Sequence, residues 1–60
     1  MMDKKVKEQI LAVRNEGTAN MFDINAVLRV AYEQEYYELV EWLQENRRAY
    51  IQYILTGEDL

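Results

Sequence analysis

Between positions 24 and 32 seven of nine residues are apolar, and the polar ones recur every fourth position: Asn25, Arg29 and then Glu33. On a helix that spacing gathers them into one narrow stripe and leaves the rest of the rod apolar. A helix apolar around most of its circumference has to be buried. The chain must therefore supply cover on several sides, and with 60 residues it has little to supply. Below about 70 residues a single core is marginal without a staple. Cysteine and histidine are both absent, which excludes disulfides and the usual zinc ligands. Half of the residues are nonetheless hydrophobic and seven are aromatic, too many for a disordered chain. The expectation is one small domain, residues 1–60, completed by self-association. Ile24, Val27, Leu28 and Ala31 are its expected dimer core, and there Leu28→Asp would abolish folding and dimerisation together.

The rest of the chain also reads as helix. Val6, Ile10 and Val13 recur at i, i+4, i+7, with Leu11 widening the face and Lys4, Lys7, Glu8 and Arg14 left wet. Asp3 is the expected N-cap of this first helix, and Gly17 its left-handed C-cap. Asp23 is the expected N-cap of the second, with Phe22 and Val27 at the spacing of a hydrophobic staple. A third segment opens at residue 35 or 36. Tyr36, Leu39, Val40 and Leu43 form one face of it, and Gln34, Glu38, Glu41 and Glu45 the other. Its continuation to Thr56 could be one rod, but Asn46 as a cap and Arg47-Arg48 against the preceding helix end favour a bend. Folding back would lay Tyr50, Ile51 and Ile54 over Leu39 and Leu43. Gly57 is the next C-cap candidate, and residues 58–60 read as a frayed tail. The fold class is all-α: three to four short helices in a homodimeric bundle.

The inventory excludes most chemistry. Serine is absent too, so no nucleophile–base arrangement of the Ser-His or Cys-His kind can be built. Gly17 and Gly57 are too far apart for any glycine-rich phosphate loop. The glutamates converge at helical spacing, but a carboxylate-bridged metal site in a bundle also needs Glu-x-x-His, and Asp23-Ile24-Asn25 lacks the remaining features of a calcium loop. No enzyme activity, cofactor or metal is expected. No apolar run approaches the ~20 residues of a membrane span, and Met1-Met2-Asp3-Lys4-Lys5 does not open a signal peptide, so the cytoplasm is the expected location.

Charge narrows the choice of partner. Residues 15–46 carry seven acids against Arg29 alone, whereas residues 1–14 carry four basic side chains and two acids. A helix-turn-helix reading of residues 23–46 would present Glu38, Glu41 and Glu45 to phosphate and offer no cation there. An imitation of nucleic-acid phosphates is the converse reading, although glutamate also simply fills wet helical positions. The aromatic surplus says more. Tyr32, Tyr36, Tyr37, Trp42, Tyr50 and Tyr53 fall within 22 residues and cannot all face one small core. Tyr32, Tyr36 and Tyr50 suit the core boundary. Tyr37, Trp42 and Tyr53 are the candidate anchors of a protein interface, rimmed by Glu38, Glu41 and Glu45.

Asn20-Met21-Phe22-Asp23, Tyr36-Tyr37-Glu38-Leu39-Val40 and Ile54-Leu55-Thr56-Gly57-Glu58 give the chain a likeness over residues 8–58. It resembles a family of very short, uncharacterised proteins encoded in phages, prophages and bacteria of the Firmicutes. These motifs look structural: caps, a staple and a tyrosine-rich helix. Relatives often carry glycine where this chain has Glu35, which bears on the turn between the second and third helices. The resemblance implies an accessory gene of a mobile element, and such genes often encode proteins that bind and inhibit or redirect a host protein, anti-defence proteins among them. The leading expectation is a non-enzymatic binding protein of this kind, a homodimer acting on a host protein in the bacterial cytoplasm. The alternative is a small DNA-associated regulator using its basic N-terminal helix.

Overall fold

Each helix boundary follows from a local device. The computed structural model describes residues 2–57. Helix α1 is Lys4–Glu16, α2 Ile24–Glu33, α3 Tyr37–Glu45 and α4 Arg47–Thr56. The Asp3 carboxylate accepts from the Val6 amide at 3.0 Å and opens α1, while Gly17 closes it at φ 74°. The Asn20 side chain then accepts from the Phe22 amide at 2.9 Å, and its carbonyl accepts from the Asp23 amide at 2.9 Å. That tight turn delivers Asp23, whose carboxylate accepts from the Ala26 amide and caps α2. Gly57 ends α4 in the left-handed region at φ 76°. The expected tail at residues 58–60 lies outside the described residues.

The end of α2 is a Schellman turn without glycine. The Tyr36 amide donates to the Ala31 carbonyl at 2.8 Å and the Glu35 amide to the Tyr32 carbonyl at 3.1 Å. This pairing requires a left-handed residue between them, and Glu35 takes that conformation at φ 62°. A side chain there is strained, which explains why a glycine would suit the position.

Residues 36–56 do bend, and at Asn46, but not by the expected cap. The Asn46 side-chain amide donates backward to the Trp42 carbonyl at 2.9 Å and so closes α3. It makes no capping bond to α4. The bend lets α4 return to the core, where Tyr50 is fully buried beside Leu39 and Leu43, with Ile51 and Ile54 partly buried against them.

The core runs from Met2, Val6, Ile10 and Val13 through Val27, Val30 and Ala31 to Leu39, Val40, Leu43 and Tyr50. Helix α3 packs on both α1 and α2, and α4 packs on α3. The radius of gyration is 10.0 Å, about the 10 Å expected of a compact chain this long. A single copy therefore closes its own core.

This changes the standing of the residues expected at a dimer core. Val27 and Ala31 have no exposed surface within one chain, so they are spent on the chain's own packing; Ile24 and Leu28 remain partly exposed. Four other expectations are corrected. Leu11 does not widen the buried face but stands 52% exposed, because it lies beside the Val6–Ile10–Val13 stripe, and Gln9 is buried in its place. Phe22 is 53% exposed rather than tucked in as a staple. Tyr32 is exposed and not at the core boundary, since α2 turns that edge away from its neighbours. Lys7, expected to be wet, is half-buried.

Candidate functional site

Helix α3 carries most of the candidate partner surface, and a residue of α1 fixes its position. No side chain of α3's own N-terminal region caps it. Instead Gln9, buried on α1, accepts from the Leu39 amide at 2.9 Å and donates to a Glu38 carboxylate oxygen at 2.8 Å. One amide side chain thus satisfies an orphan donor of the α3 first turn and pins the first acidic residue on its surface. The Gln9 bond is the main reason the Glu38 carboxyl lies below its ordinary value of 4.5, helped by its own backbone amide and by Lys5, with burial opposing. A second long-range bond holds α4. The Tyr50 hydroxyl donates to the Met21 carbonyl at 2.6 Å, and burial pushes its own ionisation up to about 12. Periodicity carries no signal for Gln9, a polar residue on an apolar stripe.

The structure divides the predicted anchors. Tyr37 is 49% exposed, and Glu38, Glu41 and Glu45 are exposed along the same helix. Trp42 is half-buried and packs against the core, and Tyr53 packs there too from α4. Tyr53 belongs to a different surface, an apolar groove of about 370 Å³ shared with Leu11, Arg14, Met21, Phe22 and Ile54, in which no α3 residue takes part. Tyr37 finds a partner that the sequence reading had placed elsewhere. The rings of Tyr32 and Tyr37 meet edge to face, 5.8 Å between centroids and 84° between planes. Both are exposed, and Glu33, Glu35, Glu38 and Glu41 around them in the chain are exposed as well. The α2–α3 corner is therefore an aromatic knob in an acidic field.

The groups exposed at this corner are two phenol rings and several carboxylates. Among the described residues no three or more carboxylates gather as a metal site, and no helix is long and apolar enough to cross a membrane. The basic residues at the start of α1 do not form an isolated patch. Lys5 lines a shallow cleft of about 470 Å³ together with Glu8, Glu35 and Glu38.

No curated protein and no solved structure matches the chain. A family does, and it spans nearly all of what has been described: residues 2–58 match the domain of unknown function DUF5049, and the chain belongs to that family.

Proposed function

We propose that this chain is a non-enzymatic binding protein, encoded by a phage or other mobile element, that inhibits or redirects a host protein in the bacterial cytoplasm. Interference with host defence is one form such binding takes. The carrying observation is the exposed Tyr32–Tyr37 pair set among carboxylates at the α2–α3 corner. Exposed tyrosines bury large area at small entropic cost and keep a polar tip, which suits them to interface anchors. The surrounding charge is of one sign, so the fitting partner has an apolar pocket in a basic surround. The absence of serine, cysteine and histidine from the whole chain supports binding rather than catalysis. The reading includes self-association, for which the exposed apolar residues of α4 speak. A DNA-associated role through α1 is the weaker reading, because carboxylates of the same cleft offset Lys5.

The test is capture of partners from a bacterial host lysate, identified by mass spectrometry, followed by affinity measurement on variants. Tyr37→Ala should weaken binding by about 2 kcal/mol, the range for a buried anchor, with little change in melting temperature. Reversing Glu41 and Glu45 to lysine should slow association and alter its salt dependence. A captured partner that binds all three forms equally would refute the α2–α3 corner as the working surface. Retention on DNA that falls steeply with salt would favour the alternative.

A further inference from the structure

Of the five large hydrophobic side chains that the described residues leave exposed, four stand on two surfaces: Leu11 and Phe22 on one, Tyr32 and Tyr37 on the other. The first surface is the groove of about 370 Å³ formed by the second half of α1, the α1–α2 connection and the end of α4. Arg14 lines it beside Leu11, and no carboxylate among the described residues does. Lys4 and Lys7 precede Leu11 at helical spacing on the same side of α1, which is therefore basic. In a chain of net charge -4 this is a local reversal of sign. The second surface is the α2–α3 corner, where the Tyr32–Tyr37 pair is set among Glu33, Glu35, Glu38 and Glu41. The two surfaces lie on different sides of α1. Lys5, Glu8 and Ala12 line the cleft against the corner, whereas Ile10, Leu11 and Arg14 line the groove. A chain therefore cannot fill its own groove with its own corner.

We infer that the groove beside α1 takes the α2–α3 corner of a second copy, so that chains associate head to tail. The inference rests on the reading of that corner as a docking surface and adds that the chain itself carries a partner of the required chemistry. The corner calls for an apolar pocket in a basic surround. The groove supplies Leu11 and Phe22 as apolar walls for the two rings, with Arg14 and Lys4 to meet the surrounding carboxylates. One contact thus covers four of the five exposed hydrophobic side chains and brings opposite charges together. Corner and groove are different surfaces facing different ways, so the contact is heterologous. Each pair keeps one free corner and one free groove, and growth continues unless a ring closes. A corner held in a neighbour's groove is withheld from a host protein, so assembly and host binding exclude each other.

Sedimentation equilibrium on the full chain from about 10 μM to about 1 mM, the span of a modest contact, tests it. The average mass of the wild type should rise with concentration past that of two chains. Tyr37→Ala removes an anchor ring and leaves the groove, whereas Leu11→Glu blocks the groove and leaves the corner. Each variant, with helix content checked by circular dichroism, should self-associate about tenfold or more weakly than the wild type. Mixed in equal amounts, they should form a pair of one chain each and nothing larger, because only one groove and one corner remain intact. Phe22→Asp in place of Leu11→Glu should give the same pair. A wild type that stays at the mass of one chain, or stops at two, would overturn the head-to-tail contact. So would self-association that survives both substitutions, or a mixture that stays apart where the wild type associates. Host binding has its own readout. A captured partner that is lost on Tyr37→Ala leaves the corner as the working surface even where the masses overturn this contact, and one indifferent to it refutes that surface whatever the masses show.

Discussion

Glu35 and Gln9 show how much single side chains decide in a domain this small. Glu35 closes α2 from the left-handed region at φ 62°, a conformation disfavoured for any residue with a Cβ. Glu35→Gly should relieve that strain and raise stability by about 0.5–1 kcal/mol, since part of the gain returns as unfolded-chain entropy. Urea unfolding at pH 7 measures it, and a destabilised glycine variant would show that the turn is not strained. Gln9 serves α3 from across the core. Gln9→Leu leaves the Leu39 amide without its acceptor and should cost about 2 kcal/mol. It also frees Glu38, whose carboxyl then returns toward its ordinary value. The sign of the pH effect follows. A lowered carboxyl stabilises the fold at neutral pH, and that contribution fades as pH falls from about 4.5 through the folded value. The wild type should therefore lose more stability than Gln9→Leu on acidification, which parallel urea titrations at neutral and acid pH would register.

At the scale of the helices, the bend at Asn46 is the decision that shapes the molecule, and Tyr50 holds it. Its ring fills the core and its hydroxyl reaches the Met21 carbonyl in the α1–α2 connection. Tyr50→Phe keeps the ring and removes the bond, so a loss of about 1 kcal/mol at neutral pH is expected. The alkaline limb separates this from a packing effect. The folded protein retains the Tyr50 proton up to about 12, whereas the unfolded chain releases it near 10. Stability should thus fall as pH rises above 10, and Tyr50→Phe should lack that part of the fall. Denaturant midpoints between pH 8 and 11 decide it; identical slopes for the two proteins would mean that Tyr50 ionises freely in the fold. The caps at Asp3, Gly17, Asp23 and Gly57 were all legible beforehand because each acts within four residues of itself. Asn46 was legible as a break but not in its direction, since an asparagine between two helices can satisfy either one.

For the whole molecule, the chain reaches full burial of Val27 and Ala31 by itself. Val27→Asp should therefore leave no folded state, as a charge there has no path to water. Leu28→Asp is different. Leu28 is only partly buried, so this variant should remain helical with a lowered melting temperature. Circular dichroism melts of the two variants test the assignment, and a Leu28→Asp chain as unfolded as Val27→Asp would restore the fully buried α2 read from the sequence. The same geometry explains why the candidate site was only partly legible. Tyr37, Glu38, Glu41 and Glu45 lie on one helix, where sequence spacing is spatial spacing. Tyr53 and Tyr32 lie on others, and their neighbours depend on how those helices dock.

What the sequence determined by itself is therefore everything whose cause lies within one or two helical turns: the helical class, the caps, the position of the bend and the buried stripe of α1. The tertiary structure alone decided which sides of α2 and α4 are covered, that Gln9 rather than Leu11 enters the core, and that Tyr32 rather than Trp42 stands beside Tyr37. The physical reason is reach. Periodicity and capping are short-range properties of the chain, whereas burial depends on docking angles between helices, and a helix apolar on most of its faces does not specify which of them its neighbours will take.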